Sequence, residues 1–205
     1  MRYACKFLIV SLFAAGVSAA WGQGGFRPGP VSSYPSHQDL GSLKIAAVKY
    51  ESDEETRAAF GKVNPNEYGV LPVLLIFENT GEQTLMLDRM RVAYQYKGNE
   101  VLPTAPADLP YALAPKRPRT GPSYPVPIPL PKKKNPMSAV ELQTRAFGAK
   151  SLLKGETASG FFYFGTRHQR NAVIYITGIR EGVTGKELFF AEVPLDSPGE
   201  AGAGH

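Results

Sequence analysis

LPVLLIFEN, Leu71–Asn79, is an unbroken run of strand-forming residues, and Thr80, Gly81 and Glu82 follow it at once. A short apolar run bounded by a turn signal predicts a central strand buried on both faces. Such a strand needs layers on either side, so the rest of the chain has to supply them.

Working outward, residues 43–50 offer Leu43, Ile45 and Ala47 in alternation before Val48 and Tyr50 shift phase, the pattern of a strand with a bulge near Ala46. Ser52, with Glu55 three residues on and Gly61 beyond Ala58, Ala59 and Phe60, marks one short capped helix. Met90, Val92, Tyr94 and Tyr96 alternate with Arg89, Arg91, Ala93 and Gln95, which predicts a strand with one wet face. The stretch from Lys97 to Glu100 closes a hairpin onto a short strand at Val101 and Leu102. Further strands are expected over 157–164, 172–179 and 188–193, with a hairpin loop over 180–186. Phe161, Phe162, Tyr163 and Phe164 are consecutive, so half of them must leave the main core for a second, covered face.

Between Pro103 and Pro136 lie eleven of the chain's 18 prolines, and Pro125, Pro127, Pro129 and Pro131 recur at every second position. Proline has no N–H for a ladder, so the stretch cannot be interior strand and reads as a stiff insertion over 103–135. Asn135 and Pro136 then supply a cap and a first helical residue for a second short helix leading to Phe147 and Gly148. Six or seven strands with one or two short connecting helices make the fold class mainly β: an immunoglobulin-like antiparallel β-sandwich with a long Pro-rich insertion.

Two segments carry a resemblance: VLLIFENTG over 73–81 and GETASGFFYF over 155–164. They resemble a strand and Asn-Gly turn, and a later Gly-led aromatic strand, in immunoglobulin-like β-sandwich domains of exported bacterial proteins and lipoproteins, most of which have no assigned function. The resemblance spans roughly 40–195 and implies fold and export. It transfers no active site.

The N-terminus agrees with export. Arg2 and Lys6 precede an apolar run over 7–17, and small residues Ser18, Ala19 and Ala20 follow, the layout of a signal peptide over 1–22. Its cleavage removes Cys5, the chain's one cysteine, and leaves 21 basic against 18 acidic residues. Thiol chemistry and disulfides are thereby excluded, and a surplus this small does not argue for nucleic acid. No later apolar run approaches the ~20 residues of a membrane span. A flexible leader over 23–42, a β-sandwich domain over 43–195 and a disordered tail over 196–205 complete the expected organisation, and the location is periplasmic or extracellular.

Of the histidines, His37 lies in the leader and His205 is the last residue. His168, in a polar turn, has no nucleophile elbow near it, so no catalytic residue is assigned and no enzyme is expected. Asp53, Glu54 and Glu55 suit the first turn of a helix, and Asp88 beside Arg89 and Arg91 suits a local pair. Without paired histidines, mature cysteine or an Asp-rich loop, no metal or other cofactor is expected. The candidate binding residues are Tyr111, Lys116, Arg117, Arg119, Tyr124, Lys132, Lys133 and Lys134, a basic and aromatic set on a proline-stiffened loop. Two readings stand: contact with an anionic envelope polymer or another envelope protein, or a crossover that covers a sheet edge with its lysines solvated. The expected function is a non-enzymatic binding or assembly module of the bacterial cell envelope; the alternatives are a self-associating or strand-donating structural protein, and a hydrolase. Oligomeric state stays open.

Overall fold

The computed structural model describes residues 26–112, 135–188 and 190–197. The expected signal peptide, most of the expected Pro-rich insertion and the last eight residues lie outside them.

In chain order the strands are β1 (His37–Asp39), β2 (Leu43–Lys49), β3 (Leu71–Asn79), β4 (Leu85–Met86), β5 (Arg91–Tyr96), β6 (Asn99–Val101), β7 (Pro103–Thr104), β8 (Ser151–Leu152), β9 (Thr157–Phe164), β10 (Val173–Thr177), β11 (Arg180–Glu181) and β12 (Ala191–Pro194). The α-helices are α1 (Asp53–Phe60), α2 (Leu109–Ala112) and α3 (Val140–Thr144). The chain is mainly β, and its strands form three antiparallel sheets: β1-β2-β3-β9-β7, β12-β10-β5-β6, and the small β11-β4-β8.

β3 sits in the middle of the largest sheet and is buried along its length on both faces, as its composition predicts. Its residues Leu71, Val73, Leu75 and Phe77 share a core with Leu43, Ile45 and Ala47 of β2 and with Val92, Tyr94, Ile174, Ile176 and Val193 of the four-stranded sheet. The opposite face, carrying Leu74 and Ile76, meets Ala46, Ala59, Phe60, Leu109, Met137, Leu142, Phe161 and Tyr163. The second face is therefore covered by short helices and connections, which gives three layers. The aromatic run divides as the period of a strand requires: Phe161 and Tyr163 go to the helix side, Phe162 and Phe164 to the sheet side.

Several expectations are corrected. β2 has no bulge at Ala46, since its register with β3 is unbroken from Leu43↔Asn79 to Lys49↔Val73. The apparent phase shift is the signature of two buried faces: odd residues feed one core, while Ala46, Val48 and Tyr50 feed the other. Part of the expected flexible leader is structured, with a 3-10 turn at Val31–Ser33, Val31 buried, and β1 paired to β2. Those few apolar residues are enough because they fill gaps in the helix-side core. The expected second helix is two pieces, a 3-10 turn at Pro136–Ser138 and α3, separated by Ala139 in an extended conformation. Leu102 is not strand and is 64% exposed. The capping box at Ser52 and Glu55 is present, with Gly61 ending α1.

Pro103 and Thr104 do form strand, at the sheet edge, where a proline costs no inward ladder bond. Farther along the same edge the Ala146–Phe147 step runs beside β9, with Phe161 N–H donating to Arg145 C=O at 2.8 Å and Phe147 N–H to Phe161 C=O at 3.1 Å. The backbone of Phe147 crosses directly over Gly160, where a Cβ would stand 2.4 Å from the Phe147 Cα. Only glycine permits that crossing.

Candidate binding site

The described residues on either side of 113–134 meet at one place. Leu109 of α2 and Met137 of the 3-10 turn are both buried in the helix-side core. Asn135 joins the two ends: its Oδ1 accepts from the Met137 N–H at 3.0 Å, while its Nδ2 donates to the Pro110 C=O at 2.9 Å. One asparagine thus caps the returning turn and ties it to the outgoing helix. Tyr111 stands on this stem and is 81% exposed, with no burial that would account for an aromatic there. Of the candidate residues it is the one among the described residues; Lys116, Arg117, Arg119, Tyr124, Lys132, Lys133 and Lys134 lie outside them.

His168 occupies a different place from the one a polar turn suggests. The side chains of His168 and Asp196 are 7% and 6% exposed, and His168 Nε2 lies 2.7 Å from Asp196 Oδ1. Lys49 Nζ reaches the same oxygen at 2.6 Å, and Asn171 N–H donates to Oδ2 at 2.6 Å. A carboxylate oxygen only accepts, so the imidazole hydrogen belongs on Nε2, and Lys49 at 3.2 Å from that nitrogen is a neighbour and not a donor to it. Burial tends to raise the Asp196 carboxyl pKa, but the hydrogen bonds from Lys49, Asn171 and His168 outweigh it and hold the group at about 2. Asp196 is therefore a permanent anion at neutral pH, and the cluster fastens the end of the last strand to β2 and to the β9–β10 connection.

The arrangement is poorly made for catalysis. His168 is enclosed, its Nε2 hydrogen is committed to Asp196, and Nδ1 is buried with no hydrogen-bond partner. No serine, threonine or cysteine is bonded to it among the described residues. Nor does any group of three or more His, Cys, Asp and Glu side chains stand ready for a metal ion among them. Asp196 falls one residue beyond the expected domain end, and only its position in space, not any local pattern, reveals its part. Asp88, expected to pair locally, bonds instead to Arg180 Nη2 at 3.0 and 3.2 Å across the fold. Among the described residues, no helix is long and apolar enough to cross a membrane.

No protein-family model matches the chain, and no curated protein matches it either. Solved structures with a similar layout include the ycdA lipoprotein candidate of Bacillus subtilis, at TM-score 0.41 and 10% identity over 79% of this chain, which spans 38% of that one. The yjhA protein of Bacillus subtilis is matched at TM-score 0.38 and 9% identity, over 80% of this chain and 98% of that one. These likenesses assign no family and transfer no site.

Proposed function

We propose that the protein is an exported, non-enzymatic binding module of the bacterial cell envelope, in which an immunoglobulin-like sandwich holds out the insertion over 113–134 to grip an anionic surface. The strand orders support the sandwich. If β2, β3, β9 and β7 are read as A, B, E and D, and β12, β10, β5 and β6 as G, F, C and C′, both orders are those of that fold. Export rests on the basic, apolar and small-residue succession over 1–20.

The stem carries the proposal. Asn135 ties the flanks of residues 113–134 together, a fixed base that would lower the freedom lost when the segment meets a partner. Its charge is one-sided: six basic residues and no acidic ones between 113 and 134. Tyr111 at the base and Tyr124 within the segment add flat surfaces for stacking. The ligand class is an anionic envelope polymer or an acidic protein face.

Replacing residues 113–134 with a short Gly-Ser linker leaves Asn135, Pro110 and the helix-side core in place. Binding of the mature protein to immobilised lipopolysaccharide, peptidoglycan and a polyglutamate peptide is expected to fall at least tenfold in that variant on whichever probe the parent binds. It should also weaken steeply with salt. Equal binding by the two proteins, or no binding by the parent to any of the three, overturns the proposal.

A further inference from the structure

The ladder along β5 is uneven. β10 pairs with β5 from Arg91 to Gln95, whereas β6 pairs only with Tyr94, Gln95 and Tyr96. The chain then passes through Leu102 to Pro103, which joins β9 in the other sheet. Among the described residues, 91–93 have a paired strand neighbour on one side.

Lys97 and Gly98, with φ of 46° and 78°, make a two-residue hairpin turn, beside which Tyr96 and Asn99 form a mutually hydrogen-bonded pair. Counting back by two, Tyr94 and then Val92 turn their N–H and C=O to the same edge. The register position opposite Val92 falls on Pro103, which has no N–H and is engaged with Phe164.

A cleft of about 590 Å³ opens at this spot, walled by Met90, Val92, Ala93, Leu102, Phe162 and Tyr175. Arg91 and Glu100 are exposed on its rim. A second, largely apolar cavity of about 250 Å³ shares Pro103 and Phe162 with it and reaches Phe147.

We propose that this cleft docks an extended segment of a partner protein, which lies antiparallel to residues 91–93 and prolongs the line of β6. The residue opposite Val92 exchanges both backbone hydrogen bonds with it and directs an apolar side chain toward Phe162. The next residue faces out beside Arg91 and is acidic. A small apolar molecule would fill the space and leave the polar groups of Val92 unmatched. A second copy is disfavoured because the outer strands β1 and β7 have only three and two residues, and Pro103 of β7 has no N–H to give. At β12, moreover, Glu192 N–H is taken by Gln38 Oε1 at 3.1 Å.

The test is selection of binders from a random twelve-residue peptide library displayed on phage, against the mature protein and against Leu102→Asp, a substitution at an exposed wall that should leave Tm unchanged. Peptides enriched on the parent are expected to share an apolar residue followed by an acidic one, to slow amide exchange at Val92, and to bind Leu102→Asp at least tenfold more weakly. N-methylation of the central apolar residue should cost a similar factor, because it removes a ladder bond and keeps the side chain. The proposal is overturned if no peptide is enriched over Leu102→Asp, if N-methylation has no effect, or if protection appears at β1 or at the outer edge of β6 instead.

Discussion

The two faces of β3 bury side chains equally well but are built by different means. On the face toward the four-stranded sheet, aliphatic residues from β2, β3, β10 and β12 interleave, and the strands that bring them are paired along most of their length. On the other face the cover is assembled from short pieces: α1, the 3-10 turn at Val31–Ser33, the insertion stem and α3. Both sides hold aromatic rings, but here the rings join separate pieces of chain, with Phe161 4.7 Å from Phe60 and 4.9 Å from Tyr50. Large rings can bridge gaps between irregular segments that aliphatic side chains cannot reach. A sheet-on-sheet core can thus be secured by pairing, while a cover of fragments depends on ring packing and single polar contacts.

The largest loss is expected from Gly160→Val, at the crossing of Phe147 over the face of β9 that also carries Phe162 and Phe164. Its Cβ would meet the Phe147 backbone, which cannot rotate away as a side chain can, so a loss above about 3 kcal/mol in urea unfolding is expected. Ser159→Val, one residue earlier and exposed, should change stability by less than about 0.5 kcal/mol. Comparable losses from both would mean that the crossing is not what secures this edge of the sheet.

The sheet side is best challenged at Asp196. Asp196→Asn leaves Lys49 without its buried carboxylate and should cost about 2–3 kcal/mol. In the parent the carboxyl titrates at about 2, below its ordinary 3.8, so folding favours the anion. That stabilisation is complete above about pH 4 and disappears as the pH falls through about 2. Acid titrations of stability should therefore be about 2 kcal/mol flatter in Asp196→Asn than in the parent. Parallel curves would remove Asp196 as the fastening of the last strand.

A smaller effect separates polar from apolar contributions on the helix side. The Tyr163 hydroxyl donates to the buried Leu142 C=O at 2.8 Å, and burial pushes its phenol pKa upward, so it remains a donor at any ordinary pH. Tyr163→Phe keeps the ring and orphans that carbonyl, for an expected loss of about 1–2 kcal/mol and faster amide exchange in α3. Lys154→Ala marks the lower limit: its pair with Glu82 is exposed on both partners, and no measurable change in Tm is expected.

Much of the layout was legible in residue order because its causes are local. The apolar run of β3, the alternation in β5, the capping box of α1 and the split aromatic run of β9 each follow from the period of a strand or the unpaired groups at a helix end. The misreadings were equally physical. The two-faced burial of β2 imitates a bulge, and a leader rich in Pro and Ser still contributes Val31 and β1 because its neighbours leave a gap of the right size. Tyr111 could be picked out by composition, whereas its place on a tied stem could not.

What residue order settled was therefore the kind of element at most positions, the one-signed charge of the insertion and the lack of cysteine beyond residue 5. Folding in space decided which carboxylate meets Lys49, 147 residues away, where Phe147 passes over Gly160, and that β6 pairs with half of β5 beside a cleft. Propensity and periodicity act within a few neighbours along the chain. Contacts between distant segments depend on how whole layers stack, and no short window of residues contains that information.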